Sequence, residues 1–397
     1  MDYIKMQVSD LFPKDGHVQR LYCDNCNGYL DLAYTDFIKF VSEIYMEVIG
    51  LPILKCTSRT EEFLPDRSRF AIIELHRRAM ENGSNTISTT RKKTIEIFDY
   101  CNVSFDYDSD DYYYLPGLER SFDKGFLTPV FFNSRVLYKY DSVPGYRLQF
   151  ASTTYGSIVT EDDSMISLGI NRNGHVVMWL GDIEKLPENE QHYLKSENIQ
   201  SDHSIGSEFY DGQIECKFTD PTVEGQALAA RTALIESAND RFGALISHLD
   251  SEVVEIALGL KAPLVDTEKE RKAIADNLNR VFVEALSDSI LKEVIQKLGV
   301  SVPNSTRNLK RLQLILTTLL NDDSAAAALM NPLFVLYDLR VAYSHLLSDE
   351  KKNEIIKSVT DRLELPENAD IFSIHNEICT RLKSSLIDMK SAVERGS

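Results

Sequence analysis

An arginine and a histidine in the C-terminal third have a spacing that suits acid–base chemistry on phosphate esters. Arg340 and His345 have four residues between them in the stretch 331–345, which reads Asn-Pro-Leu-Phe-Val-Leu-Tyr-Asp-Leu-Arg-Val-Ala-Tyr-Ser-His. A histidine can move the proton of a ribose 2′-hydroxyl as that oxygen attacks the neighbouring phosphate. An arginine can stabilise the charge of the resulting phosphorane with its planar fork of donors. Such a pair can cleave RNA without a metal ion.

The stretch resembles the Arg-x4-6-His signature of the HEPN superfamily, small helical bundles that often act as metal-independent ribonucleases. The match is confined to residues 340–345. The resemblance implies that Arg340 anchors the phosphate and His345 is the acid and base. It also implies that no metal or cofactor takes part and that two copies meet across a dimer interface. Asp338, which is not part of the signature, could orient one of them. The residue after the arginine is often Asn, Asp or His, and here it is Val341.

A purely structural interpretation of the same two residues stays open. On a regular helix, residues five apart lie about 140° apart around the axis, so Arg340 and His345 would not share a face. Arg340 would then be a surface ion-pair partner, and His345 a polar residue at a helix end.

Cys23 and Cys26 have the spacing of half a zinc knuckle. A closed site needs two further ligands, and no second paired unit follows at a familiar interval. One further candidate ligand, His17, is close in sequence. Cys56, His76 and Cys101 could serve as ligands only if the fold brings them to the same place. The pattern therefore favours two thiols on a turn, and less than stoichiometric zinc in the purified protein.

Five basic residues form a modest cluster in an acidic chain: Arg77, Arg78, Arg91, Lys92 and Lys93. They either meet an anionic ligand or a partner's acidic face, or form a solvated surface.

The glycine-rich loops G-x-x-x-x-G-K-[ST] and G-x-G-x-x-G are absent, and so are H-E-x-x-H and G-x-S-x-G. The usual nucleotide hydrolases, dehydrogenases, zinc proteases and serine hydrolases are therefore poor candidates.

Length and charge limit the class of protein. A chain of 397 residues is too long for one ordinary core, so we expect two or three domains. The net charge of −18 repels phosphate backbones at long range, which leaves a local basic pocket as the way to bind nucleic acid.

The six cysteines form no dense framework, and the N-terminus lacks the pattern of a secretory signal, so we expect a cytoplasmic protein with reduced thiols. No apolar run approaches the roughly 20 residues of a membrane helix.

Hydrophobic periodicity predicts an α+β protein with three regions. We expect residues 1–93 to form a mixed α/β region, 94–220 an antiparallel β-rich sensor or binding region, and 221–397 an all-α helical bundle, which the resemblance implies is HEPN-like. In the first region, helical spacing of apolar residues predicts helices over Thr35–Ile49 and Arg67–Asn82.

The middle region contains the turn signal Asn171–Gly174 between Ile166–Ile170 and His175–Leu180, which predicts a β-hairpin. Alternating apolar residues predict a strand over Ile95–Tyr107, and Asp106–Tyr114 reads as a surface loop or a sheet edge. Further strands are predicted at 130–138 and 146–155.

After Pro221 the helical period persists to the end of the chain. We expect about six helices in one bundle. Thr267 and Glu270 form a capping box at the start of one of them.

We interpret the protein as a HEPN-like endoribonuclease of a bacterial stress or phage-defence system, a setting that comes from the resemblance alone. RNA would be the substrate, residues 1–220 would bind a protein partner or trigger, and the protein would be a homodimer without a membrane. The alternative is a non-enzymatic interaction protein whose bundle dimerises or docks. Arg340 and His345 pointing into one cleft would favour the enzyme. A core ion pair at either residue, or two side chains facing apart, would favour the interaction protein.

Overall fold

The computed structural model describes residues 5–13, 18–93, 95–161, 164–247, 251–303 and 305–395. The fold is α+β, as predicted. The chain divides into two compact units, Met1–Asp220 and Pro221–Ser397.

The first half of the N-terminal unit is a five-stranded sheet with one helix. Its elements in chain order are β1 (Lys5–Met6), β2 (Leu30–Val41), β3 (Ile44–Cys56), β4 (Glu62–Phe63), α1 (Asp66–Glu81) and β5 (Thr86–Thr90). The sheet order is β1-β2-β3-β4, and β5 adds to β3 in parallel. Helix α1, which confirms the predicted Arg67–Asn82 helix, packs Ile72 and Ala79 against this sheet.

The predicted helix over Thr35–Ile49 is wrong, because this segment forms the long hairpin of β2 and β3. Val41 pairs with Ile44 across a two-residue turn in which Ser42 has a φ of +52°. Within β3 the buried residues alternate at Ile44, Met46 and Val48, which is the period of a strand. The apolar residues of β2 and β3 happen to fit helical spacing when read as one segment, and cross-strand pairing decides between the two patterns.

The second half of the N-terminal unit is an antiparallel six-stranded sheet with short helices. Its elements are α2 (Ser109–Tyr114), β6 (Pro129–Phe132), α3 (Leu137–Ser142), β7 (Tyr146–Phe150), β8 (Tyr155–Thr160), β9 (Met165–Ile170), β10 (Val176–Trp179), α4 (Leu180–Ile183), α5 (Glu188–Ser196), β11 (Asn198–Ile199) and α6 (Glu208–Gln213). The sheet order is β11-β6-β10-β9-β8-β7. The predicted hairpin is confirmed as β9 and β10, with Gly174 at a φ of +78° in its turn.

Two strand predictions in this half fail. Residues 95–107 form no strand, because backbone N–H groups there bind side chains instead of a neighbouring strand. The N–H of Phe98 donates to the Tyr107 hydroxyl at 2.7 Å, and that of Asp106 donates to Asn198 Oδ1 at 2.6 Å. The strand predicted at 130–138 ends at Phe132, and α3 follows. The strand predicted at 146–155 is β7 and the first residue of β8.

The two sheets of the N-terminal unit share one hydrophobic core. Leu32 and Leu54 of the first sheet belong to the same buried cluster as Phe131, Val177 and Trp179 of the second. The regions predicted as 1–93 and 94–220 therefore lie in a single compact unit.

The C-terminal unit is a helical bundle. Its helices are α7 (Val223–Phe242), α8 (Ser251–Leu258), α9 (Glu268–Asn279), α10 (Asp288–Lys297), α11 (Asn308–Leu320), α12 (Asp323–Ser344), α13 (Asp349–Leu363) and α14 (Ile371–Arg395). A π-helical turn at Arg280–Glu284 follows α9. The eight helices exceed the six expected. Thr267 caps α9 by accepting a hydrogen bond from the Glu270 N–H at 3.3 Å.

Within the described part of the chain, helix α12 alone is long and apolar enough, by length and composition, to cross a membrane. The expectation that no segment approaches this composition is therefore wrong. In the bundle, however, Leu333, Leu336 and Leu339 of α12 are buried among the other helices. A core helix passes the same test of length and composition, so this feature is weak support for a membrane span.

Candidate functional site

Arg340 and His345 lie at the C-terminal end of α12. Asp322 begins this helix by accepting hydrogen bonds from the N–H groups of Ser324 and Ala325 at 2.8 and 3.0 Å. Pro332 lies inside the helix, which runs through it. His345 is the C-cap, with an extended backbone and a 3.3 Å bond from its N–H to the Val341 carbonyl. The end of the helix therefore presents both side chains near solvent.

The guanidinium of Arg340 faces α9 and the π-helical turn. Its Nη1 lies 3.0 Å from Oε1 of Glu284, and its Nε lies 3.4 Å from Oδ1 of Asp276. Among the described residues, that Nε finds no hydrogen-bond acceptor of good geometry, although the atom is buried. Ser344, one turn further along α12, donates to the same Asp276 carboxylate at 2.6 Å. Arg340 thus shares a partner with Ser344 and not with His345.

His345 is exposed, and within the described ranges its ring forms no hydrogen bond or ion pair. Asp338, considered above as an orienting residue, accepts a hydrogen bond from Arg362 of α13 instead. A single chain therefore does not bring Arg340 and His345 together around one atom.

Arg340 borders a cleft of about 700 Å³ in the C-terminal unit. Three carboxylates in its lining are each paired with an arginine: Glu284 with Arg340, Asp288 with Arg311, and Asp338 with Arg362.

Two cations in the same lining have no carboxylate partner. Arg307 and Lys310 form no ion pair with any described residue, and Lys310 instead binds Gln313 at 2.9 Å. The lining holds as many carboxylates as cations, and Arg307 and Lys310 are two of its cations that no described carboxylate pairs with.

The basic cluster from the sequence is divided between two places. Arg77 and Arg78 pair with Glu74 on the exposed face of α1, a solvated arrangement. Arg91 and Lys93 contact Asp110 and Asp108 at the start of α2. Their charge is therefore neutralised by carboxylates of the same chain.

Sequence reasoning missed a buried acidic site around α2. The acidic stretch was interpreted as a surface loop or an edge, yet Asp110 and Asp111 are almost fully buried. Nδ1 of His203 lies 2.7 Å from Oδ1 of Asp111, and Ser201 donates to the other oxygen at 2.5 Å. His203 has a φ of +61°, an uncommon conformation for a side chain of this size.

The His203–Asp111 pair changes the titration of both groups. Burial lowers the pKa of His203, but the bond to Asp111 and the charges of Asp111 and Asp108 outweigh it and raise that pKa overall. For the Asp111 carboxyl, burial acts in the other direction and raises the pKa. His203 borders a cleft of about 610 Å³ that also includes Lys93. The only sequence signal for this site was the acidic run itself.

The loop that carries His203 is held by the β9–β10 turn. Asp202 accepts hydrogen bonds from the side-chain amides of Asn171 and Asn173 at 3.0 and 2.8 Å, and it also contacts Nδ1 of His175 at 2.7 Å. The β9–β10 turn, which the sequence predicts, therefore also positions the side chain of His203, which was not predicted as a site residue.

Three cysteines gather in the N-terminal unit. The sulfur atoms of Cys23, Cys26 and Cys56 all lie within 4.8 Å of one another. Cys101 is elsewhere and donates to the Leu180 carbonyl at 3.7 Å, whereas His17 lies outside the described residues. The fold thus supplies a third thiol that sequence spacing did not place.

Comparison with protein-family models, with curated proteins and with solved structures finds no match to this chain. These comparisons therefore neither support nor oppose the resemblance to HEPN proteins.

Proposed function

We propose that the C-terminal unit is a metal-independent, HEPN-like endoribonuclease that acts as a homodimer, and that the N-terminal unit binds the protein partner or trigger that controls it. The observation that carries this proposal is the cleft beside Arg340. Its carboxylates are paired with arginines, whereas Arg307 and Lys310 pair with no described carboxylate, so these two cations can meet an incoming phosphate backbone. The cytoplasm of a bacterium, within a stress or phage-defence system, is the setting that the resemblance suggests.

In the proposed reaction, His345 takes the proton of the 2′-hydroxyl as that oxygen bonds to phosphorus, and Arg340 stabilises the phosphorane. The bond from phosphorus to the 5′-oxygen then breaks, this oxygen takes up the proton from His345, and a 2′,3′-cyclic phosphate remains. No described residue contacts both side chains within one chain, which supports a site that the second copy completes. Tyr337 and Leu346 flank the pair and are 45% and 106% exposed, which provides apolar surface for that copy. The dimer would bring one chain's His345 towards the other chain's Arg340.

A second candidate function is an interaction module without catalysis. It is favoured by the two carboxylates beside Arg340, because an arginine that joins α12 to Asp276 and Glu284 serves the packing of the bundle. In this case His345 would be an exposed polar residue at a helix end.

The test is RNA cleavage by the full chain expressed in bacteria, with and without phage infection as the trigger. Arg340→Ala and His345→Ala should each reduce cleavage on the order of 10²- to 10⁴-fold, while the melting temperature stays close to that of the wild type. The double variant should be scarcely worse than either single variant, because the two groups act in one step. Cleavage should not require added magnesium or manganese.

Matched controls are Arg271→Ala, which removes a surface arginine paired with Asp266, and His192→Ala, which removes an exposed histidine. Both should cleave like the wild type. Full cleavage by Arg340→Ala and His345→Ala would contradict the enzyme and leave the interaction module.

A further inference from the structure

We propose that Cys23, Cys26 and Cys56 bind one zinc ion, with the carboxylate of Glu61 as the fourth ligand, and that the ion fastens the segment before β2 to the end of β3. The three sulfur atoms lie within 4.8 Å of one another, and those of Cys26 and Cys56 are 3.5 Å apart. Tetrahedral zinc with bonds of about 2.3 Å holds its sulfur ligands roughly 3.8 Å apart. The cluster therefore needs little movement to close around an ion.

Two backbone turns hold the three thiols close together. In the first, the N–H of Cys23 donates to the Gly28 carbonyl and the N–H of Asn27 donates to the Cys23 carbonyl, both at 2.8 Å. This turn aims the N–H groups of Asn25 and Cys26 at the sulfur of Cys23.

The second turn repeats this arrangement at Cys56. The backbone N–H groups of Ser58 and Arg59 point at its sulfur, just beyond the end of β3. The two turns pack directly on each other, because a Cβ on Gly28 would lie 2.9 Å from Ser58 Oγ and 3.3 Å from Cys26 Sγ. A larger residue at position 28 would require the side chains of Ser58 and Cys26 to shift.

Glu61 is the nearest group to complete the set. Its Oε2 lies 3.2 Å from the sulfur of Cys23, and its other oxygen accepts from Asn25 Nδ2 at 3.0 Å. The side chain is anchored at its base, since the Cys56 N–H donates to the Glu61 carbonyl at 2.9 Å. The three sulfurs form a mutual 4.8 Å group that does not include a Glu61 oxygen, so the carboxylate has to turn from Cys23 towards the other two thiols to bind the ion.

The chemistry of the donors selects the metal. Three thiolates are soft ligands, which excludes magnesium and calcium, and a closed set with one carboxylate suits tetrahedral zinc. Cys23 and Cys56 are 2% and 4% exposed, so the bound ion would be shielded from solvent and structural in character.

The ion would fasten a segment on which other contacts depend. The turn lies between Tyr22 and Tyr29, which form an isolated β-bridge. The hydroxyls of both tyrosines donate to Asp211 of α6, the Tyr29 bond being 2.8 Å long. Closing the turn with a metal therefore stabilises a contact between two distant parts of the N-terminal unit.

Elemental analysis of the full chain, purified without chelator, tests the site. We expect about one zinc per chain, in place of the less than stoichiometric zinc that the spacing of Cys23 and Cys26 favours. This zinc should be lost in Cys23→Ser, Cys26→Ser and Cys56→Ser. Cys101→Ser and Cys216→Ser change thiols outside the cluster and should keep the metal. Glu61→Gln should keep zinc but release it to a competing chelator more readily, by on the order of 10- to 100-fold.

A second measurement uses the wild type alone and does not depend on the variants folding. Removing zinc with a chelator should lower the melting temperature by about 10 °C, and adding zinc back should restore it. Cobalt in place of zinc should give the absorption of a tetrahedral thiolate complex. Metal-free protein with three titratable thiols, a disulfide between Cys26 and Cys56, or iron or copper in place of zinc would each overturn the proposal.

Discussion

Oε1 of Glu284 lies 3.0 Å from Nη1 of Arg340, so the arginine assigned to phosphate binding already holds an anion in the absence of RNA. The Glu284 carboxylate is 43% exposed and also accepts from Asn279 at 3.1 Å. A phosphate that binds Arg340 would have to compete with this carboxylate. The pair therefore either holds the site in a resting state or is simply a structural contact.

Replacing Glu284 with glutamine distinguishes these two roles. If Arg340 binds RNA, Glu284→Gln should strengthen RNA binding several-fold at low salt, because one competing charge is gone. If the pair is only structural, RNA binding should not change and stability should fall by about 0.2–1 kcal/mol. Binding by fluorescence anisotropy and urea unfolding measure the two effects, with the exposed Glu293→Gln as the control.

The unpaired cations of the cleft should determine how RNA binding responds to salt. Arg307→Ala combined with Lys310→Ala removes two charges without breaking an ion pair among the described residues. The slope of log affinity against log salt concentration should become shallower by roughly 1–2, and affinity should fall for all RNA sequences alike. An unchanged slope would show that RNA does not bind in this cleft.

The proposed homodimer should depend on the exposed end of α12. Leu346 is 106% exposed, so Leu346→Asp should leave the fold intact while placing a charge in the dimer interface. Light scattering should then report a dimer for the wild type and a monomer for the variant. Leu258→Asp, at another exposed leucine, should remain dimeric. A monomeric wild type, or a dimer unaffected by Leu346→Asp, would contradict this interface.

Limited proteolysis should separate the two compact units. Phe218 is 105% exposed and lies just before the boundary at Asp220 and Pro221. Chymotrypsin should therefore cut after Phe218 early and leave a stable helical fragment that begins near residue 219. Uniform digestion, or a resistant fragment that spans residues 200–225, would argue against independent folding.

Asp31 should make the N-terminal unit less stable as pH rises. Burial raises its pKa to about 6, although Arg172 beside it acts in the opposite direction, and its Oδ1 has no hydrogen-bond partner among the described residues. The folded state therefore favours the protonated carboxyl. This contribution is complete below the unfolded-state pKa of about 3.9 and is lost as pH rises through 6.

Asp31→Asn removes this titration while keeping the size of the side chain. The free energy of unfolding of the wild type relative to the variant should fall by about 2 kcal/mol between pH 4.5 and pH 7.5. Urea unfolding at both values measures it, and the exposed Asp123→Asn should show no such difference. A constant gap between wild type and Asp31→Asn would show that Asp31 does not titrate in this range.

Features that depend on a few neighbouring residues could be predicted from the sequence. The β9–β10 hairpin follows from Asn171–Gly174, where Gly174 takes a positive φ, and α1 follows from its helical spacing. The helical C-terminal unit follows from a period that persists over many residues. In these cases the local backbone preference and the hydrophobic pattern indicate the same structure.

Features that depend on distant partners were decided only by the tertiary structure. The apolar residues of Thr35–Ile49 fit a helix until β2 and β3 pair. Apolar residues alternate along 95–107 as they do in a strand, yet side chains such as that of Asn198 accept hydrogen bonds from the backbone N–H groups there. The candidate metal-binding and titratable groups also come together only in the tertiary structure. Cys56 lies beside Cys26 although 30 residues separate them, and His203 contacts Asp111 across 92 residues. Neither spacing carries a pattern, because such contacts arise from the packing of whole elements and not from the local preferences of the chain.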